Sequence, residues 1–330
     1  MSEQVEEKPS DIELLQTSLV VTKRKLSARD YGIIVFLILI IVALAVSSGA
    51  FRSEANLSNI VNQMSMGGVA ACGATLTIVA GGFDLSQGSV YAICAIVAVM
   101  TTSTLGPFGA FALALIVGLG LGAVNGTVIA FGRVNSFIAT LASSYAFIGL
   151  ATIMTAGNVE ESMAPHFMVM NNDVLGLTVA SWVFIGVAVL TGILLAYTRF
   201  GRGLYAIGGN PEAARLSGIS ISFYRVVAFA LSGGCAAIAG IINASQTGSA
   251  DASIGSTVAL MAIAATVIGG TSIMGGEGAI WRAVVGALII ELIGNGFILL
   301  NINSNYESVV FGVLILIAVA LDQLLRRRAT

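Results

Sequence analysis

The stretch GRGLYAIGGNPEAARLSGISISFYRVVAFALSGGCAAIAGIINA, residues 201–244, joins two unlike helical patterns. Its first half is polar and well punctuated. Asn210 is a good N-cap, its side chain able to accept from an otherwise unpaired backbone N–H. Pro211 fits the first helical position, where no donor is needed. Glu212 favours the positive end of the helix dipole, and Arg215, three residues on, can pair with it. Gly218 suits the left-handed residue that closes a helix. Such a helix is about two turns long, too short to be stable alone in water. From residue 223 to 244 the chain is then apolar for about 20 residues, enough to cross a bilayer. The polar helix therefore needs something to rest on.

Runs like the second half recur along the whole chain. They fall at about 29–50, 57–80, 84–104, 108–132, 136–157, 179–198, 223–244, 257–274, 279–300 and 307–325. Of the 330 residues 57% are hydrophobic and 10% charged, and the mean hydropathy is +0.96. This composition predicts an all-α polytopic membrane protein of about ten transmembrane helices. A β-barrel would show short alternating segments instead.

The net charge of −2 says little, because orientation follows the placement of Lys and Arg. With the N-terminus cytosolic and ten spans, the Lys23–Arg29 cluster, Arg133, Arg199, Arg202, Arg215, Arg225, Arg282 and Arg326–Arg328 lie inside, and Arg52 alone lies outside. Glu54, Glu160, Glu161, Asp173 and Asp251 collect on the outer side. The expected organisation is a cytosolic tail (1–28), a membrane domain (29–325) with a cytosolic loop at 199–222, and a cytosolic tail (326–330). KRKLSARD ahead of the first run reads as a signal anchor.

Two glycine-rich passages complicate the count, AGGFDLSQGS (80–89) and IGGTSIMGGEGAI (268–280). Each reads as a tight inner turn or as a broken helix, the latter tolerated only against protein or a water-filled cavity. Five spans on each side of residue 178 fit two halves of opposite topology, with the glycine passages as echoes of one unit.

The chemistry that is missing narrows the function. Every lysine lies within the first 25 residues and none completes GxxxxGK[ST], so no phosphate-cradling loop for ATP is expected. The one histidine, His166, falls in a predicted exterior loop, which argues against a metal cluster or a Ser–His pair. Cys72, Cys94 and Cys235 lie in apolar stretches without CxxC spacing and read as packing residues. Asp84 and Glu291 are the only acids placed to serve a proton-coupled carrier.

GRGLYAIGGNPEAARLSGIS resembles the cytosolic loop of the permease subunits of ribose-type sugar ABC importers. GGFDLSQGS, AVNGTVI, NSFIATL, IAATVIGGTSIMGGEGAI and VVFGVLILIAVALDQL are similar to further segments of that family, in its order, over roughly residues 30–325. Ser136 stands where the family usually has proline, Gln87 replaces a common valine, and Trp281 with Arg282 replaces smaller residues. The resemblance implies a subunit of the bacterial inner membrane without a cofactor of its own, ATP being bound by separate cytosolic ABC ATPase subunits. It implies a periplasmic or extracellular solute-binding protein and a second permease, either an identical copy or a paralogue; nucleic acid is not expected, and membrane lipid surrounds the spans. Asn210, Pro211, Glu212, Ala213, Ala214, Arg215 and Gly218 would then form the element that docks on the ATPase.

Candidates for the solute path are Asp84, Ser86, Asn125, Asn243 and Asn295, neutral amides and hydroxyls being suited to a sugar. Each has a structural alternative. Asp84 is equally placed to cap the third span, and the asparagines to hydrogen-bond between helices. GCAAIAG (234–240) reads as close helix packing. The alternatives to a sugar permease are a branched-chain amino acid-type ABC permease and a self-sufficient secondary carrier, the latter disfavoured by the scarcity of buried ionisable groups.

Overall fold

The computed structural model describes residues 28–303 and, beyond them, 306, 309–314, 316–317 and 320. The expected tails at 1–28 (but for its last residue) and 326–330, and much of the 307–325 span, lie outside the described residues.

Ten helices follow one another among the described residues up to 303: α1 (Ala28–Ser47), α2 (Glu54–Val79), α3 (Gln87–Gly132), α4 (Ser136–Thr155), α5 (Val179–Tyr197), α6 (Arg199–Gly209), α7 (Pro211–Leu216), α8 (Ile221–Thr247), α9 (Val258–Ile268) and α10 (Ile280–Leu299). Five of them, α3, α4, α5, α8 and α10, are long and apolar enough to cross a membrane; α1 and α9 supply shorter apolar stretches.

Although α3 is continuous over 46 residues, it is not one rod. Gly106 adopts φ 68°, ψ 167° and Pro107 follows it. Left-handed backbone favours glycine, and proline begins a new helix without needing a donor. The two arms fold back on each other: a Cβ on Gly118 would sit 3.1 Å from the Cys94 sulfur, and the Asn125 amide donates to Ser86 Oγ at 2.7 Å. In a straight helix residues 94 and 118 would be about 36 Å apart. The sequence's separate spans at 84–104 and 108–132 are thus the arms of a helical hairpin.

The core is built where α2 and α8 meet this hairpin. Residues 68–80 of α2 and its end are buried, as are Ala236, Ala237 and Ala239 of α8. Close approach is enforced at Gly118, Gly122 and Gly126, where added methyls would run into Gly233, Phe229 or Val226 of α8. The reading of GCAAIAG as packing is borne out, and the three cysteines are buried and free.

The molecule has two chemically distinct ends. At one, strand β1 (Glu160–Glu161) pairs with β4 (Ser249–Ala250), and β2 (Asp173–Val174) with β3 (Leu177–Thr178). This end carries Glu54, Glu160, Glu161, Asp173 and Asp251 with Arg52, and is called the acidic end below. The other end carries Arg133, Arg199, Arg202, Arg215, Arg225 and Arg282, with Glu212 and Glu277. The predicted segregation of charge is therefore present in the fold.

Three expectations are corrected. The 257–274 span shrinks to α9, only 11 residues long, because Gly269 and Gly270 end it. The loop at 199–222 is mostly helical, as α6 and α7. The two glycine passages are turns between helices, and both lie at the arginine end, where they touch. Five-span halves of opposite topology would put equivalent turns at opposite ends, so these passages are not echoes of such a repeat.

Candidate functional site

The short polar helix forms as its residues dictate. Asn210 Oδ1 accepts from the Ala213 amide at 3.0 Å, Pro211 opens α7, and Gly218 closes it at φ 80°. Arg215 donates to Glu212 at 2.6 Å. Ala214 is buried, whereas Glu212, Ala213, Arg215 and Leu216 are exposed, Leu216 by 86%.

The surface beneath it is α6, which sequence reading missed. α6 buries Gly201, Gly203, Leu204 and Ile207 and turns its arginines outward. Phe200 stacks on Tyr224 of α8 with ring centroids 5.3 Å apart, and Tyr205 donates to the Gly278 carbonyl at 2.8 Å. The alternation of polar and apolar residues at a 3.6 period in RFGRGLYAIGG was the available signal, hidden by four glycines that argue against a helix.

At the end of α6 three chain segments converge. The Gly276 amide donates to the Val79 carbonyl at 2.9 Å, joining the turn after α9 to the last residue of α2. A Cβ at Gly208 would run into that same carbonyl and into the Gly276 nitrogen. A Cβ at Gly275 would lie 2.8 Å from Gly81 Cα, and one at Gly276 2.8 Å from Gly209 Cα. Backbone packs on backbone here, tying the end of α6 to the end of α2 and to the turn before α10.

Behind the junction lies a polar cluster. Asp84, 2% exposed, accepts from the Ser86 amide at 3.1 Å, from Ser86 Oγ at 2.5 Å and from Ser232 Oγ at 2.6 Å. Gln87 Nε2 donates to Ser232 Oγ at 2.7 Å, and Asn125 joins through Ser86. Asp84, Ser86 and Asn125 are brought together, as a network tying the loop to both arms of α3 and to α8. A buried carboxylate is tolerable only with such donors. Asn295 instead exchanges two hydrogen bonds, 2.9 and 3.2 Å, with Asn56 of α2 near the acidic end. Asn243 donates to the Met66 sulfur at 3.3 Å while its side-chain oxygen has no partner among the described residues.

A cavity of about 390 Å³ lies between α2, α9 and α10. Its polar groups are Gln63, Tyr91, Thr257 and Glu291, with Met66 in the wall. None of the five predicted path residues lines it; Asn243 reaches its wall through Met66. Glu291 lies in the interior of α10, away from the helix ends. His166 is exposed, at the start of a 3₁₀ turn, and no group of three or more metal-ligating side chains occurs among the described residues.

Five apolar helices of membrane-crossing length, with a capped polar helix beside a backbone junction at the arginine end, make this the helical domain of a multi-pass membrane protein. The chain belongs to the family described as "Branched-chain amino acid transport system / permease component", which matches residues 56–319. It is 38% identical over 291 residues to ribose import permease protein RbsC of Bacillus subtilis, covering 87% of this chain and 90% of that protein. The D-allose transport system permease protein AlsC of Escherichia coli is 34% identical over 297 residues, covering 88% and 91% respectively. The xylose transport system permease protein XylH of E. coli is 33% identical over 348 residues, 86% of this chain and 88% of that one. No solved structure matches. The chain is a multi-pass protein of the inner membrane, as its family and its apolar helices indicate.

Proposed function

We propose that this chain is the permease subunit of an ABC importer that brings a sugar into the cytoplasm. The observation that carries this reading is identity of 33–38% over nearly the full length to permeases named for ribose, allose and xylose. The family's description matches the amino acid alternative in name, but these relatives favour sugars. In this reading the chain crosses the bilayer ten times, five spans on each side of residue 178 in opposite topology, with both termini and the arginine end in the cytosol.

Separate ATPase subunits bind and hydrolyse ATP and dock on α7, stabilising a helix too short to hold alone. Their closure moves α6, and the glycine junction carries that movement into α2 and the α9–α10 turn. A solute-binding protein docks on the acidic end, and a second permease copy or paralogue completes the path. This chain contributes the cavity with Gln63, Tyr91, Thr257 and Glu291 to that path, hydroxyls and amides being suited to a neutral polyol.

The test is uptake of labelled ribose, allose and xylose by cells lacking their own sugar permeases, after expression of this chain with an ABC ATPase and a solute-binding protein from the same organism. ATP-dependent accumulation of at least one sugar is expected. Accumulation of leucine or valine and of no sugar would return the function to the amino acid class.

A further inference from the structure

At the arginine end a second cavity, of about 400 Å³, opens beside the glycine junction. Its lining brings Arg133 and Arg225 together with Asn135, Ser136 and the backbone of Gly81 and Gly82, and contains no acidic residue. Arg133 closes α3 in the left-handed conformation, φ 54°, and this turn sets it on the same concavity as the start of α4. Arg225 stands on the first turns of α8 and is half-buried. Neither guanidinium has a hydrogen-bond or ion-pair partner among the described residues. Asp84 belongs to the neighbouring loop, but Ser86 and Ser232 hold both its oxygens.

α4 adds to the positive field. It is 20 residues long and begins at this cavity, so the positive end of its dipole faces the same space. Asn135 caps the Phe137 amide, and Ser136 Oγ accepts from the Phe83 amide. The amide of Ser136 itself has no acceptor among the described residues. The Gly81 and Gly82 amides are taken by the Ile78 and Thr77 carbonyls, so the donors are two unpaired guanidiniums and a free helix-first-turn amide, which around one concavity form a site for a tetrahedral oxyanion.

We infer that this cavity binds a phosphate group, carried either by a small cytosolic phosphate compound or by an anionic lipid headgroup. Arginines scattered along a membrane face would meet headgroups individually; these two share one cavity with the free Ser136 amide at a helix start, which is the arrangement a phosphate needs. The inference stands apart from the transport reading, since it needs neither ATPase nor sugar. Because Gly81 belongs both to this cavity and to the junction, an occupant braces the turn against which α6 moves.

The test uses the full chain in nanodiscs and reads its thermal midpoint. In discs of phosphatidylcholine, inorganic phosphate is titrated against chloride at matched ionic strength; in a second set phosphatidylglycerol is added to the discs. A saturable upward shift with phosphate assigns the site to free phosphate compounds, and a shift only with phosphatidylglycerol assigns it to headgroups. Either effect should be weakened about tenfold in apparent affinity by Arg225→Gln and further by adding Arg133→Gln. It should be unchanged by Arg199→Gln, an exposed arginine outside the cavity. Where the glutamine variants do not fold, Arg133→Lys with Arg225→Lys keeps the charge but loses the forked geometry, and should still weaken binding several-fold. No shift in either set of wild-type discs, or an equal shift in the doubly substituted chain, overturns the inference.

Discussion

At the acidic end the loop over 156–178 is fastened largely by side chains, beside the short β1–β4 pairing. Phe167, fully buried, anchors it; Ser245 Oγ donates to the Phe167 carbonyl at 2.6 Å and accepts from the Met170 amide; Asn171 donates to the Gln246 carbonyl. At the arginine end the closest contacts are made by backbone, Gly208, Gly275 and Gly276 against Val79 and Gly81, with Tyr205 fastened to the Gly278 carbonyl beside them. A side-chain anchor tolerates small shifts, because rotamers adjust. Backbone on backbone does not, because no rotamer can absorb a displacement. In the proposed function, the end that would receive force from an ATPase is thus the one suited to pass it on, and the end that would receive a binding protein is suited to stay in place.

The difference is sharpest in accessibility. Leu175 and Leu216 are exposed by 89% and 86%, at the acidic and arginine ends respectively, and all three native cysteines are buried. With an impermeant thiol reagent added to intact cells, Leu175→Cys should label fully and Leu216→Cys not at all. Labelling of Leu216→Cys from outside would invert the orientation and remove α7 from any cytosolic partner.

Next in size is the junction itself. Gly208→Val places a branched side chain against the backbone of Val79 and Gly276, and overpacking of this kind costs about 1–3 kcal/mol or more. Gly209→Ala meets open space. Uptake should fall several-fold or more in the first and stay near wild type in the second, at equal amounts of inserted protein. Equal uptake in both would mean that movement does not pass through this contact.

The acidic end should respond in the opposite way. Phe167→Ala removes a fully buried ring and should cost about 3–5 kcal/mol of stability. It is read as a lowered thermal midpoint in detergent. Uptake per folded molecule should change little, because the anchor holds rather than transmits. A loss of uptake at unchanged stability would contradict that division of roles.

What sequence could reveal follows the range of the interactions. The caps of α7 and the two arms of α3 depend on neighbours within a few residues, and Asn210, Pro211, Gly218, Gly106 and Pro107 declare them. Charge segregation is a sum over the whole chain and survives errors in any one boundary. The junction depends on residues 79–81 meeting 208–209 and 275–276, a contact no local pattern encodes, so the glycines were visible and their purpose was not. The amides fared likewise: Asn295 finds Asn56, 239 positions away. Glu291 could be read from sequence as an acid within a span, but only its place inside α10 sets it on the cavity.

The smallest expected change in stability falls on α7, and it separates docking from folding. The Glu212–Arg215 pair is about two-thirds exposed on both sides (69% and 67%), and such pairs contribute about 0.2–1 kcal/mol. Glu212→Lys exchanges attraction for repulsion and opposes the helix dipole. Its effect on the thermal midpoint should still be slight, because only Ala214 of this helix is buried. Gly218→Val meets no atom within 4 Å, so its cost is the backbone strain alone, about 1–2 kcal/mol, confined to the end of α7. If α7 rests on an ATPase, both variants should insert normally, and both should lose uptake and co-purify less of that subunit. Leu175→Cys labelling at the far end should be untouched. Normal uptake in both variants at normal expression would make α7 a solvated helix and nothing more, leaving α6 and the junction with no external force to carry.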